Sequence, residues 1–228
     1  FHGKYEIWGG AMPAVTLRLD AGEHIYTQSG GMSWMSDNME MSTNMKGGLM
    51  KGFGRMFSGE SLFMATYTAK APDQHITLAS SVPGEIKVFE IRPDYSIIAQ
   101  KGAFLCATPG VELKAFVTNA KGGLFGGEGF ILQQYVGQGL VFCELDGSIR
   151  EVNLAAGEKL VIDTGNVAAW ESSVTYNSQM VKGFKNVLFG GEGLFLTTLT
   201  GPGKVWLQTM SISELAKRLI PYMPTSSN

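Results

Sequence analysis

The stretch FGGEG occurs twice in this chain, at 125–129 and 189–193, and each copy runs straight into apolar residues. A glycine-rich loop of this kind can hold phosphate if its backbone N–H groups are free and a lysine follows. A P-loop needs G-x-x-x-x-G-K-[ST] between a strand and a helix, and neither copy has the trailing Lys-Ser/Thr or opens a helix. The dinucleotide fingerprint G-x-G-x-x-G before a helix is absent as well. The glycines therefore read as a tight bend where a loop re-enters a buried strand.

Three further sets of residues bear on chemistry. Glu60, Glu128 and Glu192 occupy equivalent places in FSGES and the two FGGEG copies. Converging on one axis, they would offer carboxylate oxygens to a hard cation, and a small-ligand or cation site there is the alternative functional expectation. The loops preceding these motifs read NMKGGLMKGFGRMF, NAKGGLF and QMVKGFKNVLF, and they place Lys46, Lys121 and Lys182 in equivalent positions. With Lys51, Arg55 and Lys185 they set basic charge among bulky apolar residues, and Met50 and Met56 in the longest loop add adaptable apolar surface. Basic and apolar residues mixed in this way suit membrane headgroups or an acidic, hydrophobic protein partner. His2, His24 and His75 form no H-x-H or H-x-x-E-H arrangement, and no G-x-S-x-G elbow is present. No catalytic residue, metal ligand set or cofactor is expected.

The elements that must position these residues follow from a repeat. FSGESLFMATYTA from Phe57, FGGEGFILQQYVG from Phe125 and FGGEGLFLTTLTG from Phe189 align, and their flanks keep the same order. LDAGEHIYTQSG from Leu19 matches LAAGEKLVIDTG from Leu154, with a diverged IRPDYSIIAQKG from Ile91 between them. Pro83-Gly84 and Asp146-Gly147 mark the turns between copies, giving units at about 12–84, 85–147 and 148–211 within a single domain. Inside the copies the period is two. Val15, Leu17 and Leu19 alternate with Thr16 and Arg18, and Met39, Met41 and Met45 alternate with Glu40, Ser42 and Asn44, so both methionine and aliphatic sets are expected to face a core. GFILQQYV and GLFLTTL read as strands buried on both faces. The expected class is all-β, a sandwich or double-stranded β-helix built from three pseudo-threefold-related units.

One helix is predicted, over 211–220. Ser211 and Glu214 form a capping box, Lys217 and Arg218 lie in its last turn, and Pro221 stops it. Ile212, Leu215, Ala216 and Leu219 share a face that is expected to cover an open end of the β core.

Composition narrows the function classes. Of 228 residues, 17% are charged where about 25% is typical, and the net charge is −2, so no global basic field exists to hold nucleic acid. No apolar run approaches the roughly 18 residues of a membrane-spanning helix. Because the chain starts at Phe1 rather than Met, further residues are expected upstream. Cys106 and Cys143 lie inside apolar strand-like runs and read as two buried free thiols of a reducing, cytoplasmic compartment.

The series MPAVTLRLDAGEHIYTQSGGMSWM, GRMFSGESLFMATYTA, GEKLVIDTGNVAAW and FGGEGLFLTTLTGPGKVWLQTMS resembles the bacterial relatives of the "altered inheritance of mitochondria" biogenesis proteins. The match spans nearly the whole chain, with a departure at Met210, where the family pattern has Arg after Gln-Thr. The resemblance implies three pseudo-equivalent β units similar to the subunit of the trp RNA-binding attenuation protein, and a link to mitochondrial inner-membrane organisation. It implies no catalytic set, and RNA or tryptophan binding does not follow from likeness of fold. The expected function is that of a non-enzymatic scaffold. It would contact a membrane surface or protein partner through the three loops, in the cytoplasm or peripherally at a membrane, with a homo-oligomer as a further expectation.

Overall fold

The structure, a computed structural model, describes residues 4–28, 30–43, 64–116, 132–180 and 195–223. It is built of strands, with a single α-helix at the C-terminal end of the described chain. After β1 (Tyr5–Trp8) come β2 (Ala14–Leu19), β3 (His24–Gln28), β4 (Trp34–Met35), β5 (Met39–Thr43), β6 (Met64–Ala69) and β7 (Gln74–Ala79). The chain continues through β8 (Gly84–Ile91), β9 (Ile97–Gln100), β10 (Phe104–Ala107), β11 (Val111–Phe116), β12 (Leu132–Gly137) and β13 (Gly139–Asp146). It then runs through β14 (Ile149–Leu154), β15 (Lys159–Asp163), β16 (Val167–Glu171), β17 (Thr175–Met180), β18 (Phe195–Thr200) and β19 (Gly203–Gln208) into α1 (Ile212–Leu219).

These strands form four sheets, with orders β1-β2-β7-β4, β5-β6-β3-β10-β13-β8, β11-β12-β9-β16-β19-β14 and β15-β18-β17. Every named pair is antiparallel. One pairing order recurs along the chain. β2 pairs β7 as β8 pairs β13 and β14 pairs β19. β3 pairs β6 as β9 pairs β12 and β15 pairs β18. Two further pairings, β10 with β3 and β16 with β9, join each run of strands to the one before it.

Three cores follow from these sheets. One gathers Val15, Leu17, Leu19, Ile25, Tyr67, Ile76 and Leu78. The second gathers Phe89, Ile91, Ile97, Phe104, Tyr135 and Trp206, and the third Ile98, Ile162, Trp170, Leu199 and Val205. β2 buries Val15, Leu17 and Leu19 while Arg18 stays exposed, as its alternation requires. The same alternation fails in β5, where Met39 is buried but Met41 is 52% exposed. That strand is the outer edge of its sheet, and the core ends beneath its first residue. Met45 lies outside the described residues. Of the two strands expected to be buried on both faces, β12 buries Leu132, Gln133 and Tyr135, whereas among the described side chains of β18 Thr197 and Leu199 are buried on one face and Leu196 and Thr198 on the other are half-buried.

The two AGE turns show how local sequence sets local structure. Glu23 turns back so that its carboxylate accepts the Asp20 N–H at 2.8 Å, and Glu158 accepts the Ala155 N–H at 2.8 Å in the same way. Gly22 and Gly157 hold φ of +87° and +77°, in the region where a side chain would strain the backbone. Each glycine N–H then bonds across to the end of the neighbouring strand, at Ala69 and Gly201. The thiols are free and buried, as expected. Cys143 belongs to one core and Cys106 to another, and burial pushes both thiols up, Cys143 to about 12.

The helix forms as its capping box dictates, with the Ser211 hydroxyl accepting the Glu214 N–H at 3.3 Å. Asp146 adds a second cap by accepting the Ile212 N–H at 2.9 Å. Its expected role as a plug does not hold. No residue of α1 is buried, and Ile212 and Leu219 stay more than half exposed. No helix among the described residues is long and apolar enough to cross a membrane.

Candidate functional site

The loops with Lys46, Met50, Lys51, Arg55, Met56, Lys121, Lys182 and Lys185 lie outside the described residues, as do Glu60, Glu128 and Glu192. The strands that deliver them are described. The first loop joins β5 to β6, the second β11 to β12, and the third β17 to β18. Each of these pairs is an antiparallel neighbour pair, so each loop closes a hairpin. In every case the incoming strand, β5, β11 or β17, is the terminal strand of its sheet. Chain order alone makes the three loops equivalent in sequence; the pairing makes their roots equivalent in the sheets.

Among the described residues, no group of three or more His, Cys, Asp or Glu side chains stands at metal-ligand separation. The Nδ1 of His75 lies 2.8 Å from the Ser36 hydroxyl in a local tie. The polar clusters that do form join successive runs of strands. Glu144 accepts from the Ser80 and Ser81 hydroxyls at 2.9 and 3.0 Å and from the Ser81 N–H at 2.8 Å. Glu85 accepts the Ile149 N–H at 2.9 Å.

Glu151 gathers two lysines and an indole. Lys204 Nζ sits 2.8 Å from one carboxylate oxygen, while the Trp206 indole N–H donates to the other at 2.9 Å and Lys87 Nζ lies 3.4 Å from it. The Lys204 hydrogen bond is the main cause that holds the Glu151 carboxyl below its ordinary range. Lys87 also stands 5.9 Å from the Trp206 ring centroid. Because the folded-state pKa is depressed, this contribution is present above the unfolded value of about 4.3 and is lost as pH falls through the lower, folded value. An NMR titration of the Glu151 carboxyl is expected to give a midpoint below that of an unpaired glutamate, and Lys204→Met to move it back up. A midpoint unchanged by that substitution would remove Lys204 as the cause.

Sequence reasoning passed over these acids because their partners lie on neighbouring strands far away in the chain. It also missed an exposed aromatic pair. Trp8 and Trp34 sit with ring centroids 6.0 Å apart on the outside of the first sheet, and the Trp8 indole donates to the Thr16 hydroxyl at 3.0 Å.

Three likenesses to known proteins bear on this arrangement. The profile of the family described as "Mitochondrial biogenesis AIM24" matches residues 5–210. An uncharacterised protein of Streptococcus pyogenes serotype M6 is 32% identical over 225 residues, covering 95% of this chain and 89% of the relative. A crystal structure of another Streptococcus pyogenes protein superposes with a TM-score of 0.77 at 28% identity, covering 96% of this chain and 99% of that one.

Proposed function

The chain belongs to the mitochondrial biogenesis AIM24 family, and from that premise we propose that it is a non-enzymatic interaction module. On this reading it consists of three copies of one six-stranded sandwich unit, of the kind found in the trp RNA-binding attenuation protein. The three Lys/Gly/apolar loops engage a membrane surface, or a protein partner of the same acidic and apolar character. The protein works in the cytoplasm, peripheral to that surface.

The observation that carries the proposal is the common root of the loops. Each closes the hairpin between a sheet's terminal strand and that strand's neighbour, at β5–β6, β11–β12 and β17–β18. On this reading the three equivalent hairpin ends face the same side, so that three short basic stretches act as one multivalent surface. Lys46, Lys51 and Arg55, then Lys121, then Lys182 and Lys185 supply its charge, and Met50 and Met56 its apolar contact.

Sedimentation with vesicles of phosphatidylcholine and phosphatidylserine, against vesicles of phosphatidylcholine alone, tests this. Each lysine near an anionic surface contributes about 1 kcal/mol, so the Lys46/Lys121/Lys182→Glu triple variant is expected to lose roughly 100-fold or more in partitioning. Wild-type protein that binds neither vesicle, or a triple variant that binds as well as wild type, would overturn the membrane form. Capture of an acidic partner that the triple variant loses would leave the protein form standing.

A further inference from the structure

α1 is held at its start by two caps and left bare along its apolar face. Ser211, itself buried, accepts the Glu214 N–H, and Asp146 at the end of β13 accepts the Ile212 N–H. Beyond these caps Ile212, Ala216 and Leu219 are exposed and Leu215 is half-buried. A 3-10 turn over Ile220–Tyr222 carries the apolar run on, and Tyr222 is 87% and Met223 62% exposed. The fold thus fixes where the helix begins, yet among the described residues it does not bury the helix's apolar face. Such a face on a helix with a polar opposite side is built for contact.

The root of α1 lies at the end of the sheets where the loops return. A Cβ placed on Gly165 would stand 3.3 Å from the Ser211 hydroxyl oxygen. Two residues earlier, Asp163 is the Cα partner of Leu196, where β18 takes the chain back from the third loop. Two residues later, the Val167 carbonyl accepts the Gln100 side-chain N–H at 2.6 Å. Gln100 is the Cα partner of Leu132, where β12 takes the chain back from the second loop. α1 therefore springs from the same end as those two loops.

Charge and size narrow what the face meets. Lys217 and Arg218 stand against the single acid Glu214, so this segment is positive in a chain whose net charge is −2. Exposed apolar side chains flanked by basic groups, with a tyrosine beside them, are the pattern of a helix lying in a lipid headgroup layer. A protein groove fits less well. The eight residues of α1 span about 12 Å, whereas a stable protein interface buries roughly 1,200–2,000 Å². A lipid surface sets no such minimum, because binding grows with each apolar side chain that enters it.

We propose that α1 and the turn after it form a separate membrane contact, lying in the headgroup layer of an anionic bilayer. Ile212, Leu219 and Tyr222 enter the acyl boundary, while Lys217 and Arg218 meet the lipid anions. The inference rests on the membrane form of the proposed function and adds a contact that none of the loop residues makes.

Cys106 and Cys143 are buried, so Tyr222→Cys supplies one accessible thiol for an environment-sensitive fluorophore. Its emission is expected to shift to the blue with vesicles of phosphatidylcholine and phosphatidylserine, and not with phosphatidylcholine alone. Leu219→Glu changes an exposed side chain, so circular dichroism should be unaltered, and vesicle partitioning is expected to fall about 10-fold or more. Leu219→Phe, which keeps the apolar face, is expected to retain it. An unshifted probe on sedimenting protein, or Leu219→Glu binding as well as wild type, overturns this contact and leaves the loop reading standing. Loss by Leu219→Glu with full binding by the Lys46/Lys121/Lys182→Glu variant supports α1 and removes the loops. A probe already shifted without vesicles places α1 against a second copy and overturns the proposal. Wild-type protein that binds neither vesicle overturns both readings.

Discussion

Trp170→Ala is expected to lower the stability of the protein by about 3–5 kcal/mol, read as a drop in the urea midpoint at unchanged slope. Trp170 is fully buried, in a central strand whose neighbours on both sides are fixed by pairing with Ile98 of β9 and Val205 of β19. Its ring stacks on Tyr176 with centroids 5.0 Å apart and planes 10° from parallel. Truncation removes the transfer energy of the indole and leaves a cavity that the paired backbone cannot close. Since small domains are stable by only about 5–15 kcal/mol, the variant should be close to unfolding at ambient temperature. Val161→Ala, at an exposed position, serves as the control and is expected to change stability by less than about 0.5 kcal/mol. A loss at Trp170 no larger than that of the control would show that the third core does not depend on it.

Gly84→Ala is the second large effect, and it works by collision rather than by a void. Gly84 opens β8 opposite Asp146, and a Cβ there would sit 2.1 Å from the Leu145 carbonyl oxygen. The obstacle is backbone, so β8 and β13 must move apart at this end of their ladder. Overpacking of this kind costs about 1–3 kcal/mol. The expected readout is a lowered midpoint together with faster amide exchange along β8 and β13. Gly102→Ala, where nothing lies within 4 Å of the added carbon, should leave both unchanged. Equal stability of the Gly84 and Gly102 variants would mean that the strands separate freely at this turn.

Much of this fold was legible from the residues because its signals are local. The AGE turns at Gly22 and Gly157 need only a glycine that accepts positive φ and a glutamate placed to catch the N–H three residues before it. The Ser211 cap likewise needs only its own helix. The placement of β8 and β14 just after Pro83 and Asp146-Gly147 followed from turn residues alone. Met41 and the helix face show where this stops. A period of two or of 3.6 states which side chains share a face, but not whether anything covers that face. Met41 is exposed because β5 is a sheet edge, and among the described residues no sheet covers Ile212 and Leu219 of α1.

The candidate site divides in the same way. Lys46, Lys121 and Lys182 could be matched by spacing, whereas the contacts of Glu151 with Lys87, Lys204 and Trp206 were invisible, since they cross between strands that no sequence period connects. By itself the sequence determined the strand class, the turns and the cap, because each depends on neighbours a few residues away. Only the tertiary structure decided which strands meet, and hence that β3 and β9 are covered by β10 and β16 while, among the described residues, β15 and β4 are left open. Pairing joins residues far apart in the chain, and its energy lies in contacts that exist only once both strands are in place.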